Sequence, residues 1–368
     1  MKYFTAFIKP ASSICNLNCR YCFYTDVAEN RAEKSFGLMS FETAENLISR
    51  VNDYCRSDRT KVSFVFQGGE PMMAGLDFFK NFVGSVRKIC AENIIASFSV
   101  QTNGTLIDDK WCEFFKENDF LVGISFDGAA GIHDLNRVDA LGRGTSADVL
   151  KSVKLLKKYS VEFNELCVVT RAAARHPVEV MNTAFKLGVG NLQLIPCLDC
   201  LSGEGGSYSL TPRDYASFLK KVCDIWASRA LGGEYMSIRL FDNIMMLMSG
   251  QPAEQCGASG RCNVQFVVEG DGGVYPCDFY VLDKYRMGNV NSDSISDMAA
   301  SAGLKKFLSR DIPVGEKCAS CGVYPLCGGG CARYRAFLTS EKGYCPMQDF
   351  LYEKGPLIER VMRSVRGK

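Results

Sequence analysis

Six short apolar runs alternate with amphipathic segments through the first two-thirds of the chain, and this alternation restricts the fold more than any other feature. The runs are rich in Val, Ile, Phe and Leu, as the strands of a buried parallel sheet are. They are Thr5–Ala11, Val62–Gln67, Ile95–Gln101, Phe120–Phe126, Val161–Thr170 and Asn191–Pro196. The segments between them keep helical spacing, as in Ser40–Cys55, where Ser40 is the expected N-cap. Because parallel strands need crossover helices, the pattern predicts an open or closed α/β barrel of six βα units.

The pattern changes after a predicted helix at Thr211–Leu231. Gly232 and Gly233 suit a linker, and from about residue 238 cysteines and glycines crowd together. One stretch in this part predicts a β-hairpin, with strands at Gln265–Glu269 and Val274–Phe279. We therefore expect a barrel domain of residues 1–235, followed by a smaller cysteine-rich domain of residues 236–368.

Composition excludes several classes of protein. Hydrophobic residues make up 47% of the 368 residues and charged residues 23%, which is typical of a globular chain. A net charge of +2 gives no electrostatic reason to expect nucleic acid or an anionic membrane as the partner. No window approaches 18 uninterrupted apolar residues, and the N-terminus lacks the features of a signal peptide. We expect a cytoplasmic monomer, and 18 cysteines in a reducing compartment indicate clustered thiols for metal or redox chemistry.

Three cysteines, Cys15, Cys19 and Cys22, directly follow the first predicted strand. Iron–sulfur cubes normally take four thiolates, so three would leave one iron with an open coordination position. The alternatives are a zinc site with a distant fourth ligand and ordinary buried cysteines.

Eight further cysteines follow residue 255, and eight thiolates are the right number for two fully ligated [4Fe–4S] clusters. They are Cys256, Cys262, Cys277, Cys318, Cys321, Cys327, Cys331 and Cys345. Two structural zinc sites of four thiolates each are the alternative, since Cys-x2-Cys is equally a zinc half-site.

Polar or glycine-rich residues end several of the predicted strands. They include Gln67-Gly68-Gly69-Glu70-Pro71, Gln101-Thr102-Asn103-Gly104, Ser125 to Gly128, and Cys197-Leu198-Asp199. In a barrel of βα units the loops at the carboxyl ends of the strands carry function. Glycine at such an end lets the backbone approach a ligand closely.

The Cys15, Cys19 and Cys22 spacing on the first βα loop resembles the radical S-adenosylmethionine (SAM) superfamily. The resemblance implies a partial (β/α)6 barrel in which the open iron chelates SAM and the reduced cluster cleaves it to a 5′-deoxyadenosyl radical. It also implies that Gly69 and Glu70 hold the SAM amino group. By the same resemblance, Ser125 and Arg137 contact the ribose and carboxylate, and Tyr21 and Leu198 lie beside the adenine. For Arg137 the alternative is a surface residue at a helix start.

The later cysteines, with Gly272 between Cys262 and Cys277, resemble the SPASM extension of radical SAM enzymes that act on peptides. The resemblance implies two interleaved ligand sets, one for each auxiliary [4Fe–4S] cluster. The first set is Cys256, Cys262, Cys277 and Cys331, and the second is Cys318, Cys321, Cys327 and Cys345. Three [4Fe–4S] clusters and SAM are thus the expected cofactors.

Over nearly the whole chain the sequence resembles the anaerobic sulfatase-maturating enzymes. The segments that carry this resemblance are Ile8–Ser13, Cys22–Tyr24, Phe66–Pro71, Gln101–Asp108 and Val274–Asp283. The family oxidises a Cys or Ser of a sulfatase polypeptide, unfolded or nascent, to Cα-formylglycine without oxygen. The resemblance implies Asp278 as general base, Tyr24 and Gln67 at the substrate, and a flavodoxin or ferredoxin-type reductant.

Two rival interpretations remain at this level. Another SPASM-type enzyme, forming thioether or carbon–carbon crosslinks in a ribosomal peptide, would share every cysteine. A zinc-stabilised binding protein without enzymatic activity would share the Cys-x2-Cys half-sites.

Overall fold

The computed structural model describes residues 1–310 and 312–366. Its strands are β1 (Lys2–Ile8), β2 (Thr60–Phe66), β3 (Ile94–Thr102), β4 (Leu121–Ser125), β5 (Phe163–Val169), β6 (Asn191–Pro196), β7 (Ser237–Ile238), β8 (Phe266–Val268), β9 (Gly273–Tyr275) and β10 (Gly288–Asn289). Its α-helices are α1 (Phe23–Glu29), α2 (Phe41–Cys55), α3 (Leu76–Ile89), α4 (Asp109–Glu117), α5 (Ala130–His133), α6 (Ser146–Lys158), α7 (Arg171–Ala174), α8 (Pro177–Lys186), α9 (Pro212–Leu231), α10 (Arg239–Met248), α11 (Ile295–Ala300), α12 (Ala302–Leu308), α13 (Arg335–Leu338) and α14 (Pro346–Arg366).

The chain forms two compact units. The first comprises residues 1–125, 137–163 and 264–310. Its strands lie in the order β10-β9-β8-β1-β2-β3-β4, with β1 to β4 parallel. The β8–β9 hairpin is antiparallel, and β8 pairs in parallel with β1 from Ala6↔Phe266 to Ile8↔Val268. A segment late in the sequence therefore extends the sheet begun by the first strand.

Aromatic packing between the sheet and α3 forms the core of the first unit. Phe64 and Phe66 of β2 are fully buried, and both rings contact Phe82 at centroid distances of 5.3 and 5.0 Å. Phe79 packs on Phe66 at 4.7 Å. Burying aromatic side chains of this size contributes roughly 2–3 kcal/mol each, so this layer holds the helices on the sheet.

The second unit comprises residues 126–136, 164–263 and 312–366 of the described chain. Its strands β5, β6 and β7 are parallel neighbours. The long helices α9 and α14 pack together in this unit. Trp226 of α9 is fully buried and donates its indole N–H to the Met236 carbonyl at 2.8 Å.

The six predicted strands of the α/β pattern are present, and the prediction at Asn191–Pro196 matches β6. The predicted first strand, Thr5–Ala11, is wrong in its bounds, because β1 ends at Ile8. The chain turns after it, with Ser12 N–H donating to the Lys9 carbonyl at 3.0 Å and Ser12 at φ +48°. Pro10 within this turn lacks the N–H that a ladder needs. Ser40 caps α2 as expected, since its side chain accepts from Thr43 N–H.

The predicted hairpin is also present, with shorter strands than expected. The domain boundary at residue 235 stays a prediction. Among the described residues, no helix has the length and apolar character that spanning a membrane requires.

Candidate active site

The loop between β1 and α1 carries Cys15, Cys19 and Cys22. Backbone hydrogen bonds between residues close in sequence shape this loop, among them Cys22 N–H to the Cys19 carbonyl at 3.1 Å. The Cys15 sulfur accepts from Leu17 N–H at 3.4 Å and from Asn103 Nδ2 at 3.9 Å. Desolvation raises the pKa of the Cys15 thiol to about 11, and these two hydrogen bonds oppose the rise. Donors aimed at the sulfur are what a ligand thiolate requires.

The Gly68–Gly69–Glu70 segment lies backbone to backbone against this cysteine loop. Gly69 N–H donates to the Ser12 carbonyl and Glu70 N–H to the Ile14 carbonyl, both at 2.8 Å. A Cβ on Gly69 would lie 2.2 Å from the Ile14 oxygen. Sequence reasoning explained these glycines by close approach to a ligand, whereas the approach that excludes a side chain is to the cysteine loop itself.

The Glu70 side chain is fully buried and hydrogen-bonded within the protein. Its Oε1 accepts from Thr102 Oγ1 at 2.8 Å and from Met72 N–H at 3.1 Å, and its Oε2 accepts from Asn103 N–H at 2.8 Å. Desolvation raises the pKa of Glu70 to about 7, and the same hydrogen bonds oppose it. Because Asn103 also reaches Cys15, Glu70 connects the end of β3 to the cysteine loop.

Three other residues predicted at SAM lie in the first unit. Arg137 is buried, with its guanidinium 5.5 Å from the centre of the Tyr21 ring. Ser125 ends β4, and its Oγ accepts from Gln101 Nε2 at 3.1 Å. Leu198 lies in the second unit, where it is buried in the loop that follows β6.

Asp278 forms an ion pair with Lys9, which directly follows β1. The Lys9 Nζ lies 2.6 Å from Asp278 Oδ1, with side chains 1% and 18% exposed. Lys9 Nζ also lies 3.6 Å from the centre of the Tyr24 ring, a cation–π contact. Asp278 N–H donates to Gln265 Oε1 at 3.0 Å, which fixes the backbone after Cys277.

Tyr24 also contacts a second buried ion pair, which Arg31 and Glu269 form. Its hydroxyl donates to Glu269 Oε1, and Arg31 Nη1 lies 3.1 Å from the same oxygen, with both charged side chains fully buried. Burial and the Glu269 charge raise the pKa of Tyr24 well above its ordinary value, so the phenol keeps its proton. Gln67, the other predicted substrate residue, presents a buried Nε2 with no hydrogen-bond partner among the described residues.

Sequence reasoning missed Lys9, Arg31 and Glu269. Lys9 had a detectable signal, because it is a charged residue inside the predicted apolar strand Thr5–Ala11, close to the end where function was expected. Glu269 directly follows β8 in the structure. Nothing in the local sequence shows that β8 pairs with β1, so its pairing with Arg31 was not predictable.

The second proposed auxiliary set, Cys318, Cys321, Cys327 and Cys345, lies within one unit and its thiols interact. Burial raises the pKa of Cys327 to about 11, and Cys345, Cys318 and Cys321 add to the rise. Gln348 Nε2 contacts the Cys321 sulfur at 3.5 Å. Four thiols within one unit match in number the ligands that a [4Fe–4S] cube takes.

Three members of the first proposed set, Cys256, Cys262 and Cys331, also approach one another. A Cβ on Gly257 would lie 3.0 Å from the Cys331 Cβ. Burial raises the pKa of the Cys331 thiol, and Cys256 and Cys262 contribute in the same direction. Cys277 lies in the first unit, at the end of the β8–β9 hairpin.

The number and chemistry of the cysteines agree with the expected cofactors. None of the 18 cysteines, all of which the structure describes, is in a disulfide bond, and the second set has the four thiols that an iron–sulfur cube takes. The unpartnered Gln67 amide and the buried Arg137 guanidinium are donors suited to polar groups of a bound ligand.

Comparisons with known proteins identify the superfamily and its extension. Residues 10–182 match the family model of the Radical SAM superfamily, and residues 256–322 match that of an iron–sulfur cluster-binding domain, SPASM. A solved structure described as native anSMEcpe with bound AdoMet and Kp18Cys peptide superimposes with a TM-score of 0.90 at 41% identity. That match covers 98% of this chain and 99% of the other. The architecture is thus the α/β barrel of radical SAM enzymes followed by a SPASM domain.

Two curated relatives define the family within that superfamily. The cysteine-type anaerobic sulfatase-maturating enzyme of Clostridium novyi (strain NT) is 43% identical over 90% of this chain and 89% of that protein. The serine-type enzyme of Bacteroides thetaiotaomicron is 30% identical over 91% of this chain and 84% of that protein. The chain belongs to the anaerobic sulfatase-maturating enzymes, radical SAM enzymes that carry three [4Fe–4S] clusters.

Proposed function

We propose that this enzyme oxidises a cysteine side chain of a sulfatase polypeptide to Cα-formylglycine, with Asp278 as the proton acceptor. The single observation that supports the role of Asp278 is its placement. It follows the proposed ligand Cys277 directly, keeps 18% of its side chain exposed, and is held by the buried Lys9 ammonium at 2.6 Å. A carboxylate with one oriented oxygen and residual exposure is suited to receive a proton from an incoming group.

The chemistry divides between the cofactors and the chain. The bound groups supply the 5′-deoxyadenosyl radical that removes a hydrogen atom from Cβ, together with a one-electron acceptor. To become a thioaldehyde, the resulting substrate radical loses one electron from the C–S unit and one proton from the S–H. Asp278 Oδ2, the oxygen that Lys9 does not hold, takes that proton, and hydrolysis of the thioaldehyde then gives the aldehyde and releases hydrogen sulfide.

Gln67 and Tyr24 are proposed to line the substrate site in different ways. The Gln67 amide is buried without a partner, and such a donor costs free energy until a ligand group accepts from it. Tyr24 is buried, its hydroxyl is bonded to Glu269, and its ring covers the Lys9 ammonium. We propose that Gln67 bonds the substrate and that Tyr24 supports the site from behind by holding Lys9.

For SAM we propose contacts from Gly69, Ser125, Arg137, Tyr21 and Leu198, with Glu70 acting through the backbone of its segment. The Glu70 carboxylate oxygens are occupied by Thr102, Met72 and Asn103, which leaves the main chain of residues 68–70 as the surface to meet the amino group. Arg137 offers a fork that matches a carboxylate. For the auxiliary clusters we propose the two interleaved sets given above.

Cysteine is the proposed target because the cysteine-type relative is 43% identical and the serine-type relative 30%. The test is an anaerobic incubation with SAM, dithionite and two peptides that differ only in Cys or Ser at the target position. Conversion is read by mass. We expect the Cys peptide to be converted to formylglycine much faster, and equal rates or a preference for Ser would overturn the assignment.

The same experiment separates the crosslinking alternative. A thioether or carbon–carbon crosslink removes two hydrogens and leaves no aldehyde, whereas formylglycine reacts with a hydrazide probe. We also propose that the enzyme is a monomer of two domains divided near residue 235. It would work in the cytoplasm and receive electrons from a flavodoxin or ferredoxin-type reductant.

A further inference from the structure

Arg335 is a buried arginine at the start of α13, only 8% exposed, in the part of the second unit that holds the auxiliary cysteines. Its guanidinium donates to three backbone carbonyls. Nη2 reaches Gly260 O at 2.7 Å, Nη1 reaches Ile312 O at 2.5 Å, and Nε reaches Gly329 O at 3.4 Å. A buried guanidinium is costly unless its N–H groups are bonded, so these contacts determine where the side chain can sit.

Each of the three carbonyls belongs to a segment that carries or precedes proposed ligands. Gly260 lies between Cys256 and Cys262. Gly329 lies between Cys327 and Cys331, and Ile312 precedes Cys318. The loop of Gly329 serves both sets, because Cys327 belongs to one and Cys331 to the other. A single side chain therefore joins the segments that supply ligands to both auxiliary clusters.

The loops of Gly260 and Gly328 pack closely against each other. A Cβ on Gly260 would lie 2.5 Å from Gly328 O, and one on Gly328 would lie 2.3 Å from Gly260 N. Both residues have left-handed backbone, at φ +73° and +56°. The two loops thus touch through their main chains, and Arg335 bonds to a carbonyl in each.

We propose that Arg335 is a positioning residue for the auxiliary clusters, fixing the loop of Cys256 and Cys262 against the loop of Cys327 and Cys331. It acts through these loops and touches neither substrate nor SAM in this assignment. A lysine keeps the charge, but its single ammonium cannot reach three carbonyls in different directions as a planar fork can. The inference rests on the proposed ligand sets and is independent of formylglycine formation.

The test uses the full chain, reconstituted anaerobically, as Arg335→Gln, Arg335→Lys and a control. Arg363→Gln is the control, since Arg363 is an exposed arginine paired only with Glu359 on the same helix in its described contacts. We expect the iron content of Arg335→Gln to fall from that of three clusters toward that of one. We expect Arg363→Gln to keep the iron of the wild type.

Electron paramagnetic resonance of the reduced protein separates the clusters. Adding SAM perturbs only the signal of a cluster with an open iron, which marks the auxiliary signals as those that do not respond. We expect the auxiliary signals to weaken or change shape in both Arg335 variants while the SAM-responsive signal stays. Wild-type iron content and auxiliary signals in Arg335→Gln would overturn the proposal.

Arg335→Lys decides the question if the Gln variant fails to fold. Wild-type auxiliary signals in a folded Arg335→Lys would show that charge alone suffices and that the three-carbonyl fork has no positioning role. SAM cleavage without peptide serves as the internal check on the first cluster. If the wild type fails to oxidise the peptide while its auxiliary signals are intact, the result counts against the proposed function and leaves the role of Arg335 untouched.

Discussion

The ammonium of Lys9 lies 2.6 Å from the carboxylate of Asp278, although the two residues are 269 positions apart in the chain. The contact arises because the β8–β9 hairpin lies beside β1, and β9 runs antiparallel to β8. The return of β9 brings Asp278 beside Gln265, just before β8, where the Lys9 side chain reaches it. Lys9 follows β1, and Asp278 follows the hairpin that β8 begins. The sheet that carries the first cysteine loop therefore also positions the proposed proton acceptor.

Replacing Asp278 by Asn is expected to stop peptide oxidation while leaving iron content and SAM cleavage near wild type. The amide keeps the shape of the side chain but is a far weaker proton acceptor, so a loss of about 10²–10⁴-fold is expected. Asp283→Asn is the matched control, since Asp283 is exposed and accepts only from Ala32 N–H in its described contacts. Mass analysis of the peptide and chromatography of deoxyadenosine provide the two measurements, and unchanged turnover in Asp278→Asn would reject the role.

Replacing Lys9 by Met is expected to slow peptide oxidation by about 10–100-fold, because the Asp278 carboxylate loses the partner that orients it. The variant should also be less stable, by about 3 kcal/mol, since removing one partner of a buried pair leaves the other uncompensated. Lys2→Met on the same strand is the control, because the Lys2–Asp58 pair is exposed and contributes little. Wild-type turnover in Lys9→Met would show that the ion pair has no part in the reaction.

Much of the barrel could be predicted from sequence, because each strand is a local apolar run and each helix a local periodicity. The cysteine groups were equally visible, since their spacing is local. Pairing between distant segments was not visible. The register Ile8↔Val268 makes Lys9 and Glu269 neighbours at one edge of the sheet, and no pattern near either residue indicates it.

The role of Gly69 shows a second limit. Its sequence context suggested an approach to a ligand, and the structure shows a contact with the Ile14 carbonyl that leaves no room for a Cβ. A glycine needed for packing against another loop and one needed for a ligand look alike in sequence. The position of the partner backbone reveals the packing role, and the proposed contact of Gly69 with SAM stays a prediction beside it.

Gly69→Ala is expected to lower iron content and SAM cleavage, because the new Cβ would lie 2.2 Å from Ile14 O and push the cysteine loop away. Overpacking of this kind typically costs about 1–3 kcal/mol. Gly84→Ala is the control, since that glycine lies within α3 with nothing within 4 Å of the added Cβ, and alanine favours the helix by roughly 0.5–1 kcal/mol. Equal iron loading and equal denaturation midpoints in the two variants would contradict the packing argument.

Glu70 should make the stability of the enzyme fall as pH rises toward neutrality. Burial raises its pKa in the folded protein to about 7, above the ordinary value of 4.5, so the folded state holds a proton that the unfolded state has released. This contribution is complete below the unfolded pKa and is lost as pH rises through about 7, by an amount on the order of 3 kcal/mol. Glu70→Gln cannot titrate. The unfolding free energy of this variant, relative to that of the wild type, should therefore rise between about pH 5 and about pH 8.

Urea unfolding of the anaerobic holoenzyme at several pH values measures this difference. A pH-independent difference would mean that Glu70 is already ionised in the folded enzyme at about pH 5, with the hydrogen bonds from Thr102 and Asn103 outweighing its burial.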